Sequence, residues 1–167
     1  MIPRQPHDLE DKHVNTTAHA LEFGAVSGDL LSQGVLAAVL YFVVGFGVLG
    51  MGFLALDLVT PGNLRTQVYT DRNPNAAILL GTNHVALAII VVTAITTSAD
   101  SLGQGLVDSA VYGLLGVLLQ AVALRLLDVL VPGHLRNLVT EPRMSGAAWA
   151  VGITLLAIGA VNAAALA

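Results

Sequence analysis

Leu56-Asp57-Leu58-Val59-Thr60-Pro61-Gly62-Asn63-Leu64-Arg65 recurs 71 residues later as Leu127-Asp128-Val129-Leu130-Val131-Pro132-Gly133-His134-Leu135-Arg136. Each copy follows one long apolar stretch and precedes another, so these two loops decide how the chain is organised. Proline restricts the residue before it and glycine permits the turn, which ends a helix at Pro61-Gly62 and again at Pro132-Gly133. The match continues outward. Downstream, Val68 aligns with Val139, Arg72 with Arg143, Ala76-Ala77 with Ala147-Ala148 and Gly81 with Gly152; upstream, Gln33-Gly34, Tyr41 and Gly45 align with Gln104-Gly105, Tyr112 and Gly116. Chance identity is common between apolar helices, but a shared acid, a Pro-Gly pair and two arginines are not common by chance. The chain therefore reads as a tandem duplication of one two-helix hairpin, with a polar tail at 1–30, a first repeat at 31–97 and a second at 98–167.

Composition fits this reading. Of 167 residues, 55% are hydrophobic and only 11% charged, whereas a water-soluble domain has roughly a quarter of its residues charged. A net charge of −4 with no basic run excludes a nucleic-acid binder. The absence of cysteine excludes disulfides, thiolate metal sites and cysteine nucleophiles. No phosphate loop, HExxH, GxSxG or glycine-rich dinucleotide motif occurs, so neither an enzyme nor a cofactor is expected. His7, His13 and His19 recur at six-residue spacing rather than the three or four that aligns ligands on a helix face, so no metal site is expected either.

A spanning helix needs about 20 apolar residues. Stretches 35–56, 76–95, 106–131 and 145–167 satisfy that, and in lipid each must be helical because its backbone has no water to bond. Asn73-Pro74 reads as an N-cap with proline at the first helical position. The expected fold class is an all-α membrane protein whose four transmembrane helices form two tandem, parallel-related hairpins, since an even number of spans brings each repeat in from the same side. Arg65, Arg72, Arg136 and Arg143 lie in the hairpin loops 57–75 and 132–144, with Arg125 just inside, while the connection 98–104 has no basic residue. Both hairpin loops are therefore expected in the cytoplasm and both termini outside. In the tail, Leu21, Phe23, Val26, Leu30 and Leu31 fit either a short interfacial helix or a disordered segment.

Two kinds of residue are candidates for function. The first is a helix-packing seam: Gly34, Tyr41, Gly45 and Gly52 in span one and their counterparts Gly105, Tyr112 and Gly116 in span three fall at helical steps. Small residues let backbones approach where lipid gives no hydrophobic drive to associate. Spans one and three are expected to pack through this seam, with each tyrosine hydroxyl finding a partner. Gly152 and Gly159 make a similar stripe on span four, suited to internal packing or to oligomerisation.

The second kind is intramembrane polar groups. Asp57 and Asp128 lie near the cytoplasmic ends of their spans, where charge costs little. Arg125, three residues before Asp128, can pair with it; Asp57 can share that arginine or bond backbone amides of its own turn, and a proton or cation site is the alternative. His84, beside Asn83, lies roughly 12 Å into span two, as a satisfied imidazole or a proton relay. Gln120 and Asn162 suit interhelical hydrogen bonds, and Trp149 and Tyr69 suit interfacial anchors.

The run Leu56 to Arg65 with Arg72-Asn73-Pro74-Asn75-Ala76-Ala77-Ile78 resembles the DUF350 membrane proteins over roughly residues 31–167. The resemblance implies a duplicated two-helix architecture and a small bacterial inner-membrane protein, without implying a chemistry. Two functions remain open on the sequence. One is a non-catalytic scaffold or accessory subunit, associating in the lipid bilayer as a homo-oligomer or within a larger membrane complex. The other is a small ion, proton or metabolite carrier acting at the repeat interface as an oligomer.

Overall fold

The computed structural model describes residues 28–60, 63–130 and 134–167. The expected tail helix around Leu21, Phe23 and Val26, the histidines His7, His13 and His19, and the turns at Pro61-Gly62 and Pro132-Gly133 lie outside those residues, as do the side chains of His134 and Arg136. Among the described residues, four helices are long and apolar enough to cross a membrane: α1 (Gly28–Val59), α3 (Pro74–Thr96), α4 (Leu102–Leu130) and α6 (Gly146–Leu166). Two short helices, α2 (Leu64–Tyr69) and α5 (His134–Thr140), follow α1 and α4. The chain is an all-α membrane protein of four spans, and its apolar outer surface meets the lipid bilayer.

Local chemistry sets these boundaries. The described part of α1 runs from Gly28, and in it Ser32 Oγ donates to the Asp29 carbonyl at 2.9 Å. Asn63 caps α2, its side chain accepting from the Thr66 amide at 3.2 Å. Asn73 caps α3 by accepting from the amides of Asn75 and Ala76, with Pro74 in the first turn, where its missing N–H is not needed. Ser145 does the same for α6 through the Ala147 amide.

The chain falls into two compact units, residues 1–37 and 38–167. In the first, the described residues 28–37 are the opening turns of α1, and Leu30, Leu31, Val35 and Leu36 are exposed. In the second, α3 is the central helix: it lies along α6 over most of its length and also against α4, α2 and α5. Two apolar clusters form its core. One gathers Leu56, Leu79, Leu80, Leu124, Val151 and Leu155 with Leu64, Leu135 and Val139 of the short helices. The other joins Val48, Leu87, Ile90, Val91, Val117 and Ala163. Along α3 and α4 the register places Asn83 and Gln120 between them, a polar layer inside an apolar bundle.

Candidate functional site

The loop end of the bundle is built on the duplicated aspartates. Asp57 Oδ1 accepts the Leu64 amide at 2.9 Å, and Asp128 Oδ1 accepts the Leu135 amide at 2.8 Å. In both loops the acid at the end of a span thus holds an amide at the start of the following short helix, seven residues on, where unsatisfied N–H groups favour a negative partner. The leucines so anchored are 0% and 1% exposed, so each cap also fixes an apolar plug in the core. Arg125 reaches neither acid. Its Nη1 donates to the Val59 carbonyl at 3.3 Å, and the carbonyl end of α1 is a favourable place for a cation. The pairing of Arg125 with Asp128 anticipated from their spacing is therefore absent, because the acid is turned toward its loop.

The same end holds a feature that spacing did not reveal. Asn75 is fully buried and makes hydrogen bonds through both ends of its amide: Nδ2 donates to the carbonyls of Glu141 (3.0 Å) and Arg143 (2.8 Å), while Oδ1 accepts the Ser145 amide at 2.8 Å. Asn73 Nδ2 donates to the carbonyls of Val139 (2.6 Å) and Glu141 (3.0 Å). The Asn-Pro-Asn segment at the start of α3 therefore grips the backbone of the connection between α5 and α6.

Deeper in the bundle, Asn83 and Gln120 meet. Gln120 Nε2 donates to the Leu155 carbonyl at 3.0 Å and lies 3.5 Å from Asn83 Oδ1; Asn162 Nδ2 donates to the Gly116 carbonyl at 3.0 Å. His84, the next residue along α3, points elsewhere. Its Nδ1 contacts the Leu80 carbonyl at 2.9 Å, its ring tilts against Phe53 at 5.7 Å, and it lines an open groove with Phe53, Val68, Tyr69 and Gly81. A carbonyl only accepts, so Nδ1 carries the proton and Nε2 is left without a partner among the described residues. The structure thus brings Asp57 and Arg125 to one end of the bundle with Asp128, places Asn83 in the interior, and turns His84 toward Phe53 and the groove.

The seam residues divide between two neighbours. α1 and α4 meet where the Tyr41 hydroxyl abuts Gly105, with the same hydroxyl 3.4 Å from Ser98 Oγ, and where Val48 fits over Gly113. Gly45, Gly52 and Gly116 instead face α3, through Val91, Leu87 and Ile90. The central position of α3 explains this, since it fills the space between the spans expected to touch. Gly152 and Gly159 also face α3: a Cβ at Gly152 would lie 2.8 Å from Thr82 Oγ1, and one at Gly159 would lie 3.0 Å from the Ala86 backbone. Tyr112 is 46% exposed and has no hydrogen bond among the described residues, unlike Tyr41. Gly34 lies in the first unit, and a Cβ there would meet nothing within 4 Å.

Comparison with known proteins gives a consistent match. A family model described as Domain of Unknown Function (DUF350) covers residues 29–166. The chain is 47% identical over 147 residues to a UPF0719 transmembrane protein of Mycolicibacterium paratuberculosis, covering 88% of this chain and 97% of that one. It is 48% identical over 146 residues to UPF0719 transmembrane proteins of Mycobacterium bovis and Mycobacterium tuberculosis, covering 87% of this chain and 96% of each relative. No solved structure is a significant match.

Proposed function

The chain belongs to the DUF350 family, and from that premise we propose that it is a non-catalytic scaffold or accessory subunit of the bacterial inner membrane, assembling laterally with itself or within a larger membrane complex. The observation that carries this reading is the commitment of both duplicated acids to structure. Asp57 and Asp128, the paired charges a carrier would draw on, are each bonded to a backbone amide of the following short helix. A carboxylate in that role holds a loop in place and is a poor site for taking up and releasing a cation. The outer face of α1 offers a partner span an aromatic surface to pack on, though apolar exposure alone equally suits lipid. Phe42, Phe46, Val39 and Val43 of α1 are more than half exposed, with the two phenylalanine rings stacked 6.1 Å apart. The arginines Arg65, Arg72, Arg136 and Arg143 support a cytoplasmic position for the loop end.

The test is mass spectrometry of the tagged chain purified from its native host in mild detergent, with co-purifying proteins quantified. The reading expects a homo-oligomer or a stoichiometric set of membrane partners. A lone monomer that supports flux in liposomes, lost in Asp57→Asn and Asp128→Asn, would overturn it.

A carrier acting as an oligomer is the second reading, and His84 is the observation that favours it. Its Nε2 has no partner among the described residues, and the ring lines an open groove of about 270 Å³. Flux that survives both aspartate substitutions but disappears in His84→Ala would select this reading.

A further inference from the structure

Between the two apolar clusters lies a small cavity of about 10 Å³, lined by Gly52, Leu56, Asn83, Val117, Gln120 and Leu124 among others. That is about the room one water molecule needs. Its lining is not all apolar. Gln120 is 2% exposed and Asn83 3% exposed, so bulk solvent hydrates neither. Gln120 Oε1 is buried and has no hydrogen-bond partner among the described residues, although its Nε2 donates to the Leu155 carbonyl and reaches Asn83 Oδ1 at 3.5 Å.

The orientation of that amide is fixed by chemistry. Exchanging oxygen and nitrogen would set Oε1 against the Leu155 carbonyl, two acceptors face to face, so Nε2 must stay there and Oε1 must look elsewhere. Asn83 Oδ1 offers a second acceptor, since its contact with Gln120 Nε2 is at the 3.5 Å limit of a hydrogen bond. Two acceptors beside a water-sized space call for a small molecule with two donors.

We propose that this cavity holds one structural water molecule, donating to Gln120 Oε1 and Asn83 Oδ1 and tying α3 to α4 between the two apolar clusters. A metal ion is a worse fit. Hard cations such as calcium take about six or more oxygen ligands, and the side chains here offer two amide oxygens. An empty cavity would leave Gln120 Oε1 unpaired in a place where buried polar groups are almost always satisfied. The water accounts for why polar residues stand at positions 83 and 120 of an otherwise apolar interior, and it applies equally to a scaffold and to a carrier.

The experiment is proton-detected solid-state NMR of the full chain in lipid bilayers, following magnetisation transfer from water to the side-chain amides of Gln120 and Asn83. Transfer peaks from a slowly exchanging water to the side-chain amides of Gln120 and Asn83 are expected in the wild type, and the Asn83 peak should be lost in Gln120→Met, which keeps the side-chain length and removes the acceptor. Assigned Gln120 amide signals without such transfer would overturn the proposal. Should Gln120→Met fail to fold, wild-type diffraction from a lipidic mesophase provides the second test: a density peak within hydrogen-bond distance of both amides supports the water. Its absence, at a resolution where other buried waters are seen, rejects it.

Discussion

Asp57 holds the Leu64 amide at 2.9 Å and Asp128 holds the Leu135 amide at 2.8 Å, yet the loops that open on this shared bond close in different ways. In the first, Asn73 and Asn75 direct their amides across to the backbone of residues 139–145. The positions 71 residues later are Met144 and Gly146, which have no amide side chain to direct back. The first loop grips and the second is gripped. A repeated sequence thus supplies two equivalent caps, while among the described residues the side chains that fasten one loop to the other belong to the first.

Removing the grip should have the largest effect. Asn75→Ala deletes three hydrogen bonds and leaves the Arg143 carbonyl and Ser145 amide without that partner. At about 1 kcal/mol per bond, and more where a buried group is left unpaired, the expected loss is about 3 kcal/mol. Thermal unfolding in mild detergent should register it as a drop of roughly 10 °C. The counterpart change, Gly146→Ala, meets nothing within 4 Å and should leave the midpoint within a degree or two. Equal effects at the two positions would remove the asymmetry.

Next comes a pair of glycines related by the same offset. A Cβ at Gly152 would lie 2.8 Å from Thr82 Oγ1 and 3.0 Å from its Cγ2, and the threonine cannot easily turn away, because its hydroxyl is bonded to the Ile78 carbonyl at 2.8 Å. Gly81 has nothing within 4 Å of its Cβ position. Gly152→Ala should cost about 2 kcal/mol through overpacking, whereas Gly81→Ala should gain up to about 1 kcal/mol, because alanine favours the helix over glycine. Destabilisation by both would mean that Gly81 packs against a partner chain, which bears directly on lateral assembly.

The four spans, the N-cap at Asn73 and the special standing of the aspartates were legible in the sequence because each rests on residue type: apolar length, an asparagine before proline, an acid before a turn. The grip was not, and neither was the true partner of Arg125. In both cases the partner is a backbone carbonyl (Glu141 and Arg143 in one, Val59 in the other), and a carbonyl leaves no mark in the residue code. The division of the seam was hidden for another reason. Periodicity tells which face of a helix is small, but not which neighbour fills it, and α3 occupies space that a pairing of spans one and three alone would leave open.

The caps themselves should behave alike, which tests the shared half of the comparison. Asp57→Ala and Asp128→Ala should each cost about 1 kcal/mol, the usual value of a capping side chain, and the asparagine variants less, since an amide oxygen still accepts the leucine N–H. Unfolding midpoints that differ between the two alanine variants by more than a few degrees would show that one acid does a second job. Liposome flux in the asparagine variants then says whether that job is transport.

Arginine 72 is the smallest test, and its sign separates the loops again. Arg72 has φ of 53°, in the left-handed region, and the turn it makes brings the Asn73 amide within 2.9 Å of the Gln67 carbonyl. A side chain at such a φ is strained, and glycine is not. Arg143 has no such backbone; among the described residues, Arg72 is the one non-glycine with positive φ. Arg72→Gly should therefore stabilise the fold by about 0.5–1 kcal/mol, the relief of strain outweighing the entropy glycine adds to the unfolded chain. Arg143→Gly should lower stability by a similar amount, because there only the entropy term operates. A midpoint that falls in Arg72→Gly would mean that the guanidinium makes a contact worth more than the strain. The sequence directly after this residue is the Asn-Pro-Asn grip, so that contact would belong to the same fastening and would deepen the difference between the loops.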